Sequence, residues 1–580
     1  MRAHHPLLAM FALLWPSMAM ADAPHDIQGN LRLWLDGLDV NGTDTGNGGG
    51  SNPTNGAQVK AWKDKSANAF TAGDAVSNTT RTFPTYNESS GVSFNGVRDI
   101  LEIPGGIFPS GVGVSASEIL IIATTRTIAA LPILLSNGNA GGSGTNRYLV
   151  SLPWNDGNIY WDHGNLNAGR VSVSWSGTNS ALDRVYLYNF NASSPISIAR
   201  DGSTIASSSN TGTYTPASNH FFNIGGGEGD SNRHHDGIVS ELIVYSRKLK
   251  TAERNIIQSY LAAKHANPGG AGSLNRYTNS AGYRYHVGGI GQESDGSLTT
   301  GTSAGLTITN TSFLANGNYV LAGLSALSPT TGTTSADAPT GFNARSQRIW
   351  FLNRTGTGTG AISLSFKLSD LGVTATNGQR LALLSRSATT GTFTMLATTN
   401  YAGGGTASFS ISDPQNGYYA LALEPMPVVT ASLNHIVQSD GINSSNFKAI
   451  PNALIKASAN MTNSGPGSPD SNSTTLTIPV PANMTFFVGD IATVGGGPVK
   501  FNQGSPTSGL TYSYTVLGNS SDGLEFSNDS GATWTYTPVP DGQQGDTHIT
   551  HVRIKPSGSF ATSTASPFPN FTVDYGLLVK

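Results

Sequence analysis

A chain of 580 residues with no cysteine and 32 Lys and Arg against 35 Asp and Glu, for a net charge of −3, excludes several classes of chemistry at once. Disulfides, thiolate metal sites and a cysteine nucleophile are impossible, and there is no basic stripe of the kind that nucleic-acid binding requires. The length is several times that of a usual domain, so about three domains held by ordinary apolar cores are expected.

Residues 1–21 join Arg2, His4 and His5 to an apolar run from Leu7 to Trp15 and end in Ala19-Met20-Ala21. That is the pattern of a Sec-type signal peptide with a small-x-small cleavage site, and the run is far below the ~20 residues that a bilayer span requires. Export to the periplasm, the cell surface or the medium is therefore expected. No later segment has the length and hydropathy of a membrane span, and the chain ends at Leu577-Leu578-Val579-Lys580 without a hydrophobic tail, so a soluble mature chain is expected.

The 70 glycines, with abundant Ser, Thr and Asn, are compatible with disorder or with many tight turns, and periodicity decides for turns. Val185 and Leu187, Ile238 and Leu242, and Ile362, Leu364, Phe366 and Leu368 recur at the period of a strand. Asp201-Gly202 between Ile198 and Ile205 marks a hairpin turn. Helical spacing is confined almost entirely to Thr251 to His265, where Ile256, Ile257, Tyr260 and Leu261 share one face. Thr251 is expected to cap that helix and Glu253 to sit favourably in its first turn. Breaker-rich residues 267–273 and the Glu424-Pro425-Met426-Pro427 interruption then divide the mature chain into 22–268, 274–424 and 428–580.

Three groups of motifs resemble known families. LRLWLD from Leu31, VKAWKDKSAN from Val59, GVSFNGVRDILEIP from Gly91 and the closing GIVSELIVYSRKLKTAERNIIQSYLAAKHA from Gly237 resemble the concanavalin A-like lectin/glucanase superfamily in its laminin-G-like bacterial form. The middle region, with GYRYHVGGIGQESDGSL and RSQRIWFLNRTG, is similar to a β-rich domain of unknown function that follows such lectin-like domains. The last, with TLTIPVPANMTFFVGD and FSNDSGATWTYTPVP, is similar to the repeat-type immunoglobulin-like domain of bacterial surface proteins. The resemblances imply an all-β chain: an N-terminal jelly-roll sandwich closed by one short helix, followed by two smaller β-sandwich-like domains. In the lectin-like family the last strand carries an acidic residue ahead of the closing helix, and Glu241 matches it here.

Lectin-like sandwiches stack an aromatic ring on a pyranose and fix its hydroxyls with Asp, Asn and backbone groups, often ordered by Ca²⁺. The segment from Trp154 to Gly164 supplies Trp154, Asn155, Asp156, Tyr160, Trp161 and Asp162 as candidate ligand-binding residues. The alternative is a hairpin whose rings fill the core. Asp39, Asn41 and Asp44 place oxygen ligands at calcium-loop spacing but lack the rest of the EF-hand pattern, so a Gly-rich turn is the alternative. Asp230 and Asp236 are further oxygen ligands of the right type, in a segment that also reads as a solvated loop. His234 and His235, being adjacent, would point to opposite sides of an extended chain and cannot readily share a metal. Trp350 and the pair Trp534 and Tyr536 read as core residues.

The hydrolases of this superfamily carry Glu-x-Asp-x-Glu on one strand, and no such triplet occurs; Glu241 stands among Leu, Ile and Val and reads as a strand or helix-contact residue. No Gly-x-Ser-x-Gly, His-Glu-x-x-His or phosphate-loop motif is present either. The expected function is non-catalytic binding or adhesion, with a glycan or another surface polymer as partner and calcium as the cofactor candidate. The alternatives are a structural component of an envelope or extracellular assembly, with other envelope proteins as partners, and, further off, a glycan-cleaving hydrolase or lyase.

Overall fold

The computed structural model describes residues 23–580 apart from 43–51, 75–80, 128–131, 138–146, 165–167, 176–183, 193, 210–211, 228–232, 267–273, 279–281, 343 and 564. The expected signal segment, Asp44 and Asp230 lie outside the described residues. The fold is all-β, and the chain divides into two compact units, one formed by residues up to Asp337 with Arg345–Ala422, the other by Ala338–Ala344 with Leu423–Lys580.

The first unit opens with a sandwich of two antiparallel sheets. An eight-stranded sheet runs in the order Ser203–Ser208, Ser194–Arg200, Arg184–Asn191, Ala116–Thr125, Asp236–Tyr245, Gly91–Asn95 and Thr85–Asn87, with Leu31–Asp36 also paired to Asp236–Tyr245. It faces a six-stranded sheet in the order Arg170–Ser174, Asn158–Gly164, Arg147–Ser151, Leu135–Asn137, Phe221–Ile224 and Leu101–Pro104. Successive side chains of a strand point to opposite faces. Ile119, Ile121, Leu242 and Val244 accordingly enter the core between the sheets, while Leu120, Ile122, Ile243 and Tyr245 enter a second core on the other side. Burial on both faces is why these strands read as continuous apolar runs.

The second core is built around the Thr251–Lys264 helix. Ile256, Ile257, Tyr260 and Leu261 meet Trp34, Leu120 and Ile243 of the first sandwich and, in the same cluster, Tyr277, Val287, Tyr319 and Leu321 of the next. The helix is therefore shared by the two sandwiches and does not simply close the first. Its N-terminus differs from expectation too. Thr251 is the first helical residue, and its backbone N–H and hydroxyl both donate to the Asp295 carboxylate at 2.9 Å. Asp295 comes from the turn between Tyr285–Glu293 and Gly296–Leu298, so the cap is supplied by the second sandwich. Glu253 accepts the Lys250 N–H at 2.8 Å.

At the other end of the helix lies a dry ionic cluster. Glu241 Oε1 accepts from Trp34 Nε1 at 2.7 Å and the Tyr260 hydroxyl at 2.8 Å, while Oε2 accepts from Lys264 Nζ at 3.0 Å and lies 2.9 Å from His265 Nε2. Lys264 also reaches Asp36, and Lys65 bridges Asp36 and Asp39 at 3.2 Å each. Burial by itself pushes the Asp36 and Glu241 carboxyls up, but Lys264 opposes it in both, joined at Asp36 by Lys65, and both groups stay below the usual carboxylate range. Glu241 is thus the helix-contact residue that its apolar neighbours suggest.

The second sandwich pairs a nine-stranded sheet with the four-stranded sheet Thr300–Ser303, Leu306–Asn310, Ala361–Lys367 and Thr406–Ser412. Trp350 is buried between them, 5.4 Å from the Phe366 ring. In the second unit, a six-stranded sheet that includes Val429–Ser439, Leu454–Asn463 and Asn570–Val579 faces the three strands Leu476–Pro479, His551–Ile554 and Leu524–Ser527. Phe486 and Phe526 meet across that core at 6.0 Å. Trp534, expected in the core, is half-buried beneath the Arg553 guanidinium.

Removing Lys264 would leave two carboxylates in a dry site without their shared cation, and breaking a buried pair in this way costs about 3–5 kcal/mol. Denaturant unfolding of Lys264→Met should show a loss of that size in the first unit, against about 1 kcal/mol for Asp295→Ala, which removes only a helix cap.

Candidate functional site

The outer face of the six-stranded sheet is where the sequence-predicted ligand residues fall. Asn158–Gly164 is the second strand of that sheet, and its alternation separates the segment into two sets. Ile159, Trp161 and His163 point inward. Trp161 lies opposite Val171 and Val150, and the same row continues through Leu135, Ile224 and Leu101, all core residues. The Trp161 ring is fully buried 4.9 Å from Tyr148, and its Nε1 donates to the Asn189 carbonyl at 3.3 Å. This corrects the expectation for Trp161: one step of alternation turns it into the sandwich, away from any surface ligand.

The adjacent row faces outward. Arg170, Asp162, Leu149, Ser136, Asn223 and Glu102 lie directly opposite one another across all six strands. Five of the six are polar, the reverse of the row beside them. Asp162, also expected to contact ligand, is buried between two guanidiniums: Arg170 donates at 2.6 Å and 2.8 Å, and Arg147 at 2.9 Å. Its carboxylate is saturated by those contacts and serves to hold the two arginines in place. Glu102 is likewise paired with Arg81 at 3.3 Å, and Ser136 donates to the Gly226 carbonyl at 3.0 Å. Asn223 differs. It is fully buried, and neither its amide oxygen nor its amide nitrogen has a hydrogen-bond partner among the described residues.

The accessible end of this face is the hairpin tip. Tyr160 is half-buried with the Arg170 guanidinium 4.5 Å above its ring, and its hydroxyl donates to Asp156 at 2.5 Å. That hydrogen bond holds the exposed Asp156 below the usual carboxylate range. Trp154 is half-buried and Asn155 exposed. The structure thus brings Trp154, Asn155, Asp156 and Tyr160 to the surface together and takes Trp161 and Asp162 out of it. Asn223, Arg147 and Arg170 were missed from sequence because their place in the row depends on strand pairing.

The proposed calcium residues do not converge among the described residues. Asp39 is buried against Lys65, the Asn41 N–H donates to Asn52 at 3.2 Å, and Asp236 takes Arg126 at 3.0 Å together with the Thr127 hydroxyl. Carboxylates already matched by cations do not fit a calcium site. No group of three or more His, Asp or Glu suited to a metal occurs among the described residues. His234 and His235, expected in a solvated loop, are buried.

No protein-family model matches the chain, and no curated protein matches its sequence. Among solved structures, domain 4 of a GH43 extracellular arabinanase from Geobacillus stearothermophilus, in complex with arabinotriose, is 15% identical at a TM-score of 0.24, covering 38% of this chain and 95% of that one. The CBM40 of the Ruminococcus gnavus IT-sialidase is 16% identical at 0.21, covering 24% and 79%. The binding domain of botulinum neurotoxin DC, in complex with rat synaptotagmin II, is 10% identical at 0.26, covering 68% and 94%. Likenesses at these TM-scores carry no argument about this chain.

Trp161→Ala should cost about 3–5 kcal/mol of stability by opening a core cavity, whereas Tyr160→Ala, at the half-exposed tip, should cost less than about 1 kcal/mol in the same denaturant titration. Burial also pushes His163 down to about 3 and His235 down to about 4. A histidine whose folded pKa is depressed contributes stability that is full above its unfolded value near 6.5 and is lost as pH falls through the folded value. Stability should therefore fall by about 1.4 kcal/mol per pH unit for each of these protons between about pH 6.5 and the folded values. Urea midpoints for wild type and His163→Phe across that range provide the check, the variant showing a shallower slope.

Proposed function

We propose that this is an exported, non-catalytic binding protein that takes a glycan at the Trp154–Tyr160 tip on the outer face of its six-stranded sheet. The observation that carries the reading is the hairpin tip that brings Trp154, Asn155, Asp156 and Tyr160 to the surface together, at the end of the in-register polar row. A sugar hydroxyl both donates and accepts, and the exposed Asn155 amide and Asp156 carboxylate offer it partners of both kinds. Tyr160 and Trp154 supply the partly exposed rings on which the apolar face of a pyranose stacks. The concanavalin A-like resemblance of the first region supports the same reading, as does the signal-like segment at residues 1–21. Any calcium dependence would rest on Asp44 or Asp230, since the described candidates are already paired with cations or backbone.

A second reading is a component of an envelope or extracellular assembly, with other envelope proteins as partners. The burial of Trp161 favours it, because one of the two rings that would mark a sugar platform is core.

Residues 22–580 titrated with a panel of neutral and acidic polysaccharides, with and without Ca²⁺, separate the two. The glycan reading expects saturable binding that weakens at least about tenfold, or about 1.4 kcal/mol, in Tyr160→Ala and in Trp154→Ala. A folded protein that binds no member of the panel contradicts it.

A further inference from the structure

The second unit leaves one strand uncovered. Val429–Ser439 lies at the end of the six-stranded sheet and, among the described residues, pairs with Leu454–Asn463 on one side alone. Residues directly opposite in an antiparallel pair share a face. Val429, Ala431, Leu433, His435 and Val437 stand opposite Asn463, Met461, Ala459, Ala457 and Ile455, and those partners are buried in or beside the core. The first set is nevertheless largely in solvent, because the three-stranded sheet does not extend over it: Leu433 is 64% exposed and Val429 39%. On the opposite face Ile436 is 57% exposed, and the flanking Val428 and Ile442 reach 49% and 79%. These five make up nearly half of the twelve exposed large apolar side chains among the described residues, gathered on and beside a single strand.

Proteins ordinarily blunt such an edge with Lys, Pro, an inward charge or a covering element. The sequence from Val429 to Ser439, VTASLNHIVQS, contains no Lys, Arg, Asp, Glu or Pro. It is also compatible with its own antiparallel copy, although only Val429 and Val437 repeat about the centre. With a twofold axis through Leu433, Leu433 meets its own copy, Val429 meets Val437 and Ala431 meets His435 on one face, while Ser432 meets Asn434 and Thr430 meets Ile436 on the other. Apolar side chains fall on apolar ones at the centre and near both ends of the first face. No pair brings like charges together, since the one titratable group, His435, faces an alanine.

We propose that the Val429–Ser439 strand pairs antiparallel with the same strand of a second copy of this chain, about a twofold axis through Leu433. Such an interface is isologous, each copy offering the same patch. The ladder from Val429 to Val437 spans about 30 Å at about 3.4 Å per residue. One strand pair with its flanking side chains falls short of the roughly 1,000 Å² of a permanent interface, so the dimer is reversible and concentration-dependent. This surface is independent of the sheet face assigned to glycan, and two linked copies would add avidity to that binding.

Sedimentation velocity of residues 22–580 over a hundredfold concentration range tests the association. The expected result is a monomer that becomes a dimer as concentration rises, with Leu433→Lys, which sets two like charges opposite each other on the axis, weakening it at least tenfold at unchanged melting temperature. Because the chain has no cysteine, a single introduced thiol reports the register. Leu433→Cys should form a disulfide-linked dimer under mild oxidation, and Ser439→Cys, far from the axis, should not. A monomer at every concentration overturns the proposal and leaves the edge to a strand from a different protein. Dimers insensitive to Leu433→Lys, or cross-linking at Ser439 equal to that at Leu433, overturn it as well.

Discussion

The dry cluster of Asp36, Glu241, Lys65 and Lys264 is the constraint on which the first unit depends. Charges taken out of water are expensive, and their mutual attraction offsets that cost only in one geometry. Glu241 comes from the final strand of the first sandwich, Asp36 from its first strand and Lys264 from the last turn of the helix. A slip of one residue in the final strand would drive the Glu241 carboxylate into the core between the sheets and turn Leu242 out of it. The cluster therefore sets strand register and helix position together. The helix is held at its other end by Asp295, so its 14 residues, about 21 Å long, are pinned at one end by the first sandwich and at the other by the second.

From that anchoring follows the placement of the candidate site. The eight-stranded sheet is spent as structure, one face against the other sheet and one against the helix. The six-stranded sheet is the layer of the first sandwich whose second face is not given over to an apolar core, and it is there that the outward row turns polar. The arginines on either side of Asp162 show how that face is built: the carboxylate fixes two guanidiniums, and one of them lies on the Tyr160 ring at the accessible tip.

Much of the fold was legible because it is local. Period-two alternation from Ile362 to Leu368 gave a strand with buried Ile362, Leu364 and Phe366, and the spacing of Ile256, Tyr260 and Leu261 gave the one long helix. The parity of Ile159, Trp161 and His163 against Asn158, Tyr160 and Asp162 was also readable, and applying it would have assigned Trp161 to the core from sequence. What could not be read is non-local. The Asp295 cap lies 44 residues from the helix it serves, Arg147 and Arg170 meet Asp162 only after three strands pair, and Asn223 is marked in its own strand only as one polar residue among Phe221, Phe222 and Ile224. The exposure of Val429–Ser439 is likewise a property of the sheet: its alternation reads as an ordinary half-buried strand until the short facing sheet leaves it bare.

The central claim, that one helix joins two sandwiches into a single cooperative body, is most directly tested by native-state hydrogen exchange of residues 22–580 in rising denaturant, followed peptide by peptide. Amides of Ala116–Thr125, of the Thr251–Lys264 helix and of Tyr285–Glu293 should lose their slowest protection together, with one opening free energy and one denaturant dependence. Separate opening of Ala116–Thr125 and Tyr285–Glu293, at different free energies, would contradict it.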